Sequence, residues 1–198
     1  MKIRQLRRRP SLNRFKNFGF VADMSALQES ANAATMLFPL ALAVHHHTLA
    51  PTAVTSAIMF HFPFSFAYHS AKALALPQAP LLCKLDLMAI HVASSAFSHA
   101  VSKSTVYFLL CALFNSGVIW RLALGSVGTM ESRVYRGICS FLYLAPIWNH
   151  GFVQFVKSFL SFALMAGFFV FDGRLGGWGH CISHLWCMPL AWMLIKVS

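Results

Sequence analysis

In the stretch GGWGHCISHLW, residues 176–186, two histidines stand four residues apart among mostly apolar neighbours. Four residues make about one helical turn, so His180 and His184 project from one face, about 6 Å apart along the axis. The same spacing joins Ser65 and His69 in SFAYH, and KLD places a carboxylate, Asp86, near the head of another apolar run. Three neutral imidazoles that leave one coordination position open form a catalytic zinc arrangement. Such a metal lowers the pKa of its bound water to about 7 and supplies hydroxide at neutral pH. Asp86 can hold that water, take its proton or orient a ligand imidazole. Ser65, one turn from His69, can donate to the water or to a substrate carbonyl oxygen.

Taken singly, these features are weaker. His-x-x-x-His in a chain with ten histidines describes two satisfied core side chains, and the Glu of HExxH is missing. Ser65 also suits a hydroxyl bonded to a backbone carbonyl beside an interfacial histidine. Asp86 suits a helix N-terminal cap. The metal reading therefore depends on whether the elements that carry these residues converge.

Those elements belong to a membrane. The 198 residues are 58% hydrophobic and 11% charged, with mean hydropathy +0.62, whereas a soluble domain is about 25% charged. Of sixteen Lys and Arg, seven crowd the first sixteen residues (Lys2, Arg4, Arg7, Arg8, Arg9, Arg14, Lys16). The others are scattered between apolar runs, which orients spans in a bilayer. A basic stripe interleaved with aromatics is absent, which argues against nucleic acid as a partner. Residues 1–22 read as a basic cytosolic arm, although a mitochondrial presequence has a similar composition. Cys83, Cys111, Cys139, Cys181 and Cys187 show no CxxC pairing and read as reduced packing residues.

Crossing about 30 Å of hydrocarbon takes about twenty apolar residues. Seven runs approach that length over residues 23–198: 23–44, 51–75, 85–101, 105–120, 135–150, 152–171 and 178–195. The expected fold is an all-α bundle of seven transmembrane helices in one domain. With the N-terminus in the cytosol, the inner side collects the arm, Lys72, Lys84, Arg121, Arg133, Arg136 and Arg174. The outer side receives only Lys103, Lys157 and Lys196. In that threading the end of the second span and the starts of the third and seventh reach the inner surface together. His69, Asp86, Ser65, His180 and His184 then share one depth, where each ionisable group is a functional candidate.

The remaining polar residues suit other roles. His45, His46 and His47 suit a solvated turn in the first outer loop. His61, His150, Asn115 and Gln154 suit interhelical bonds or interfaces, and His91 suits a helix-packing bond more than partnership with Asp86. Gly173, Gly176, Gly177 and Gly179 suit a loop that brings backbone close to the metal end.

In span order, SFAYH, KLD and HCISH resemble the CREST superfamily, which holds the alkaline ceramidases, the progestin and adiponectin receptors with the haemolysin III proteins, and the Per1-like lipid hydrolases. The resemblance implies Zn2+ on His69, His180 and His184, with Asp86 and Ser65 beside the metal-bound water. It further implies hydrolysis of a lipid amide or ester, with a membrane lipid as substrate. The expected location is an integral membrane position with the N-terminus in the cytosol, in the endoplasmic reticulum, Golgi or plasma membrane. A receptor of the same fold, with a structural zinc, is the alternative that the resemblance allows.

Overall fold

The computed structural model describes residues 24–50 and 52–198. The basic arm expected over residues 1–22 lies outside the described residues. Among the described residues there is no strand, and eight α-helices follow one another. They are α1 Ala26–Thr35, α2 Leu37–Leu49, α3 Ala53–Ala73, α4 Ala79–Ser102, α5 Thr105–Ala123, α6 Thr129–Leu144, α7 Phe152–Val170 and α8 Gly179–Val197. Short 3-10 turns at Ala145–His150 and Asp172–Leu175 precede α7 and α8.

The first apolar run forms α1 and α2, which meet at Met36 with its backbone still right-handed (φ −68°, ψ −18°). A capping box starts α1: Ser25 Oγ accepts from the Gln28 N–H, and Gln28 Oε1 accepts from the Ser25 N–H at 2.8 Å. Contrary to the expected solvated turn, His45, His46 and His47 continue α2 to Leu49. Histidine does not break a helix. The break comes where Pro51 forces Ala50 into extended backbone (φ −153°, ψ 99°). His47 Nδ1 then meets Thr55 Oγ1 at 2.9 Å, and His46 packs edge-on against Trp192.

α4 begins at Ala79, earlier than the expected 85. Pro80 occupies its first turn, where a missing N–H costs nothing. Asp86 consequently lies two turns inside a helix and does not cap it.

Among the described residues three helices, α4, α5 and α7, are long and apolar enough to cross a membrane. The other expected spans differ for visible reasons. α1 and α2 are short, α6 carries Glu131, Arg133 and Arg136, and α3 and α8 are diluted by histidines and serines. The exterior is apolar, with Leu113 on α5 73% exposed, while Glu29, Asn32, His69, His91 and Asn115 are buried. That inversion is unusual for a protein surrounded only by water.

The apolar core joins Val54 at the start of α3 to Val101 at the end of α4 and Leu194 and Val197 at the end of α8. α3 therefore runs opposite to α4 and α8. At the other end of the bundle, the last turns of α3 meet the first turns of α4 and α8.

Candidate metal centre

That second end gathers the histidines. His69 comes from α3, and His180 and His184 come from the first two turns of α8. Ring centres are 4.9 Å apart for His69 and His180, 5.4 Å for His69 and His184, and 4.7 Å for His180 and His184. One possible ligand atom from each lies within 4.8 Å of the other two. Three imidazoles from two helices can thus share one ion.

Their tautomers decide whether lone pairs are free for that ion. His69 Nδ1 lies 2.7 Å from Glu29 Oε2, and a carboxylate can only accept, so this nitrogen carries the proton. His184 Nδ1 lies 3.2 Å from the Asn32 carbonyl oxygen, which also only accepts, and 3.1 Å from Thr35 Oγ1. Thr35 spends its own hydroxyl proton on the Asn32 carbonyl at 2.9 Å. Both Nδ1 atoms are therefore donors, and Nε2 of each ring keeps its lone pair. Metal-binding histidines are commonly held this way, with the other nitrogen bonded to a carboxylate or carbonyl. The donor set fits a metal ion of the zinc type.

All of these acceptors come from α1, which carries none of the motif residues. Glu29, Asn32 and Thr35 recur every three residues, so they line one face of the helix. Glu29 is 1% exposed and is shared, with Oε1 at 2.6 Å from Lys72 Nζ on α3. The signal was present in the sequence: an acid within an apolar run, followed by two more polar residues at helical spacing. Near the start of the first run, such an acid reads equally as a helix N-terminal residue.

α1 is fastened to α8 by further polar contacts. Gln28 Nε2 donates to the Gly176 carbonyl at 2.6 Å, and Cys181 Sγ approaches Asn32 Oδ1 at 2.9 Å. Gly176 and Gly177 turn the chain with positive φ, 61° and 88°. Gly179 permits a closer approach still. A Cβ there would collide with the Phe168 carbonyl oxygen and lie 2.9 Å from the Asp172 Cα. Asp172 Oδ1 in turn accepts from the His180 backbone N–H at 3.0 Å, placing negative charge at the start of α8. Burial raises this carboxyl above its ordinary value, and the backbone N–H bonds oppose the rise.

Asp86 and Ser65 stand differently. The Asp86 carboxylate is bonded to His61 Nε2 at 2.9 Å, and beyond His61 it interacts electrostatically with His69 and His184. The task of orienting a candidate ligand falls to Glu29. Ser65 is buried between His61 and His69, the three spaced four residues apart along one stripe of α3. His61 makes the interhelical bond expected of it, as do His91 to Asn115 Oδ1 at 2.8 Å and His150 to the Val101 carbonyl at 2.9 Å. The five cysteines are free, as the reduced reading requires.

Comparison with protein-family models, with curated proteins and with solved structures finds no match to this chain.

Proposed function

We propose that this chain is a seven-span integral membrane protein, CREST-like in its motif order, that binds zinc on His69, His180 and His184 and hydrolyses a lipid amide or ester. The observation that carries the reading is the commitment of Nδ1 in His69 and His184 to acceptors on α1. It leaves two Nε2 lone pairs beside a third imidazole. Support for the membrane setting comes from the three long apolar helices and the apolar exterior. When bound, zinc supplies a Lewis acid and an acidified water. Glu29 fixes the ring of His69 and offsets Lys72. Asp86, backed by His61, is the nearby carboxylate available to accept and return a proton. Ser65 offers a hydroxyl to the substrate carbonyl oxygen.

One observation favours the rival reading of a receptor-like protein with a structural metal: Asp86 already has a partner in His61. Two measurements on purified protein test these proposals. Metal analysis should find one zinc per chain in the wild type and its loss in His69→Ala. Zinc retained in full by that variant removes His69 from the ligand set. A panel of ceramides and phospholipids should then be hydrolysed by the wild type and not by His184→Ala. Bound zinc without turnover assigns the structural role.

A further inference from the structure

Carboxylates are scarce at the histidine end of the bundle, and the four in the described residues already have partners. Glu29 holds His69 and Lys72, Asp86 holds His61, Glu131 holds Arg121, and Asp172 accepts from the start of α8. Arg133 and Arg136, one turn apart on α6, take part in no ion pair among the described residues. Asp172 acts on Arg133 and Asp86 on Arg136 electrostatically, without an ion-pair contact.

Both guanidiniums nevertheless lie against one ring. Arg133 Cζ is 5.1 Å from the centre of Phe169, and Arg136 Cζ is 4.8 Å from it. Phe169 on α7 also packs edge-on against His180, with ring centres 5.0 Å apart. A single phenyl ring therefore separates two cations from the candidate metal ligands. Arg136 uses Nε–H on the Ser132 carbonyl at 3.3 Å, which leaves its terminal N–H groups for another acceptor. Two like charges in a partly buried setting repel each other unless an anion lies between them. Guanidinium forks held over an aromatic ring are suited to the oxygens of a phosphate.

We propose that Arg133 and Arg136, seated on Phe169, form a binding site for a phosphate ester anion flanking the histidine cluster. Resting on the lipid-hydrolase reading, the site selects lipids whose headgroup carries phosphate. Neutral lipids such as a diacylglycerol lack the group it reads.

Titration calorimetry of the full chain in neutral detergent tests the site, with dihexanoyl phosphatidate, dihexanoylglycerol and inorganic phosphate as probes. The wild type should bind phosphatidate saturably and ignore dihexanoylglycerol. Arg133→Gln with Arg136→Gln should weaken phosphatidate at least about ten-fold, since two charge-assisted contacts are lost. If that double variant does not fold, Arg133→Lys with Arg136→Lys keeps the charges but loses the forks, and should weaken binding several-fold. Phosphatidate tighter than inorganic phosphate assigns the site to a headgroup; equal affinities assign it to the free anion, and either upholds it. Wild-type affinity in the arginine variants, or no binding by the wild type, overturns it. The same titrations after EDTA treatment separate this site from the metal. Binding that survives EDTA and still depends on the arginines stands even if the chain holds no zinc. Binding that EDTA abolishes and the arginine variants keep belongs to the metal, and the proposal falls.

Discussion

Replacing Glu29 by Gln alters one buried group and nothing in the ligand set. Glu29 Oε2 accepts from His69 Nδ1–H at 2.7 Å and is 1% exposed, so this bond is charge-assisted and shielded from water. Charge-assisted bonds contribute about 1.5–3 kcal/mol and neutral ones about 0.5–1.5 kcal/mol. A glutamine oxygen can still accept, so only the difference is lost, about 1–1.5 kcal/mol, or about ten-fold in zinc affinity. Glu29→Ala removes the acceptor altogether, which for such outer partners reaches about 100-fold. Lys72 adds little to either loss, because its side chain is 39% exposed and can turn to water. Competition with a fluorescent chelator measures the dissociation constant directly. Asp86→Asn is the comparison: its carboxylate is bonded to His61 and to none of the three candidate ligands, so its effect should be smaller than that of Glu29→Gln. Unchanged affinity in Glu29→Gln, or an equal loss in Asp86→Asn, refutes the assignment of Glu29 as the orienting carboxylate.

Two further outcomes follow from packing and charge. Gly179→Ala should lower thermal stability in detergent by an amount equivalent to about 1–3 kcal/mol, because its Cβ meets backbone that cannot rotate away. Gly167→Ala, with nothing within 4 Å of the added carbon, should be close to neutral by the same melting assay. At the start of α6, the hydrogen bond from Tyr135 and the pairing with Arg121 lower the Glu131 carboxyl below its ordinary 4.5. A lowered folded value means stability that is present above 4.5 and lost as pH falls through the folded value. The melting-temperature gap between the wild type and Glu131→Gln should therefore be small, because the group is exposed, and should close as the pH drops below 4.5.

Much of the site could be read from spacing because antiparallel helices have a simple parity. Once α3 runs opposite to α4 and α8, the end of the first must meet the starts of the other two, and three histidines arrive together. What spacing could not supply was partnership. His61, Ser65 and His69 form a visible stripe, yet nothing in a single chain tells Asp86 to bond the first of them and not the last. Helix ends were displaced for local reasons, since Pro80 lets α4 start early and three histidines extend α2 as readily as a loop. The seven apolar runs are not equally apolar as helices. Length and composition support α4, α5 and α7, while the polar residues that build the site dilute α3 and α8.

The placement of the acceptors on α1 separates binding from support. The three candidate ligands belong to α3 and α8, and none of the groups fixing two of their rings does. α1 is held against α8 by Gln28, which bonds the glycine loop before that helix, and by Asn32, which contacts Cys181, and against α3 by the Glu29–Lys72 pair. A change that loosens α1, such as Gln28→Ala, leaves each ligand in place and frees the rings to rotate. On the proposed zinc site, the affinity should therefore depend in part on a helix that contributes no ligand. Loss of affinity on disturbing α1 is the signature that tells a supported metal site from three histidines that merely pack together.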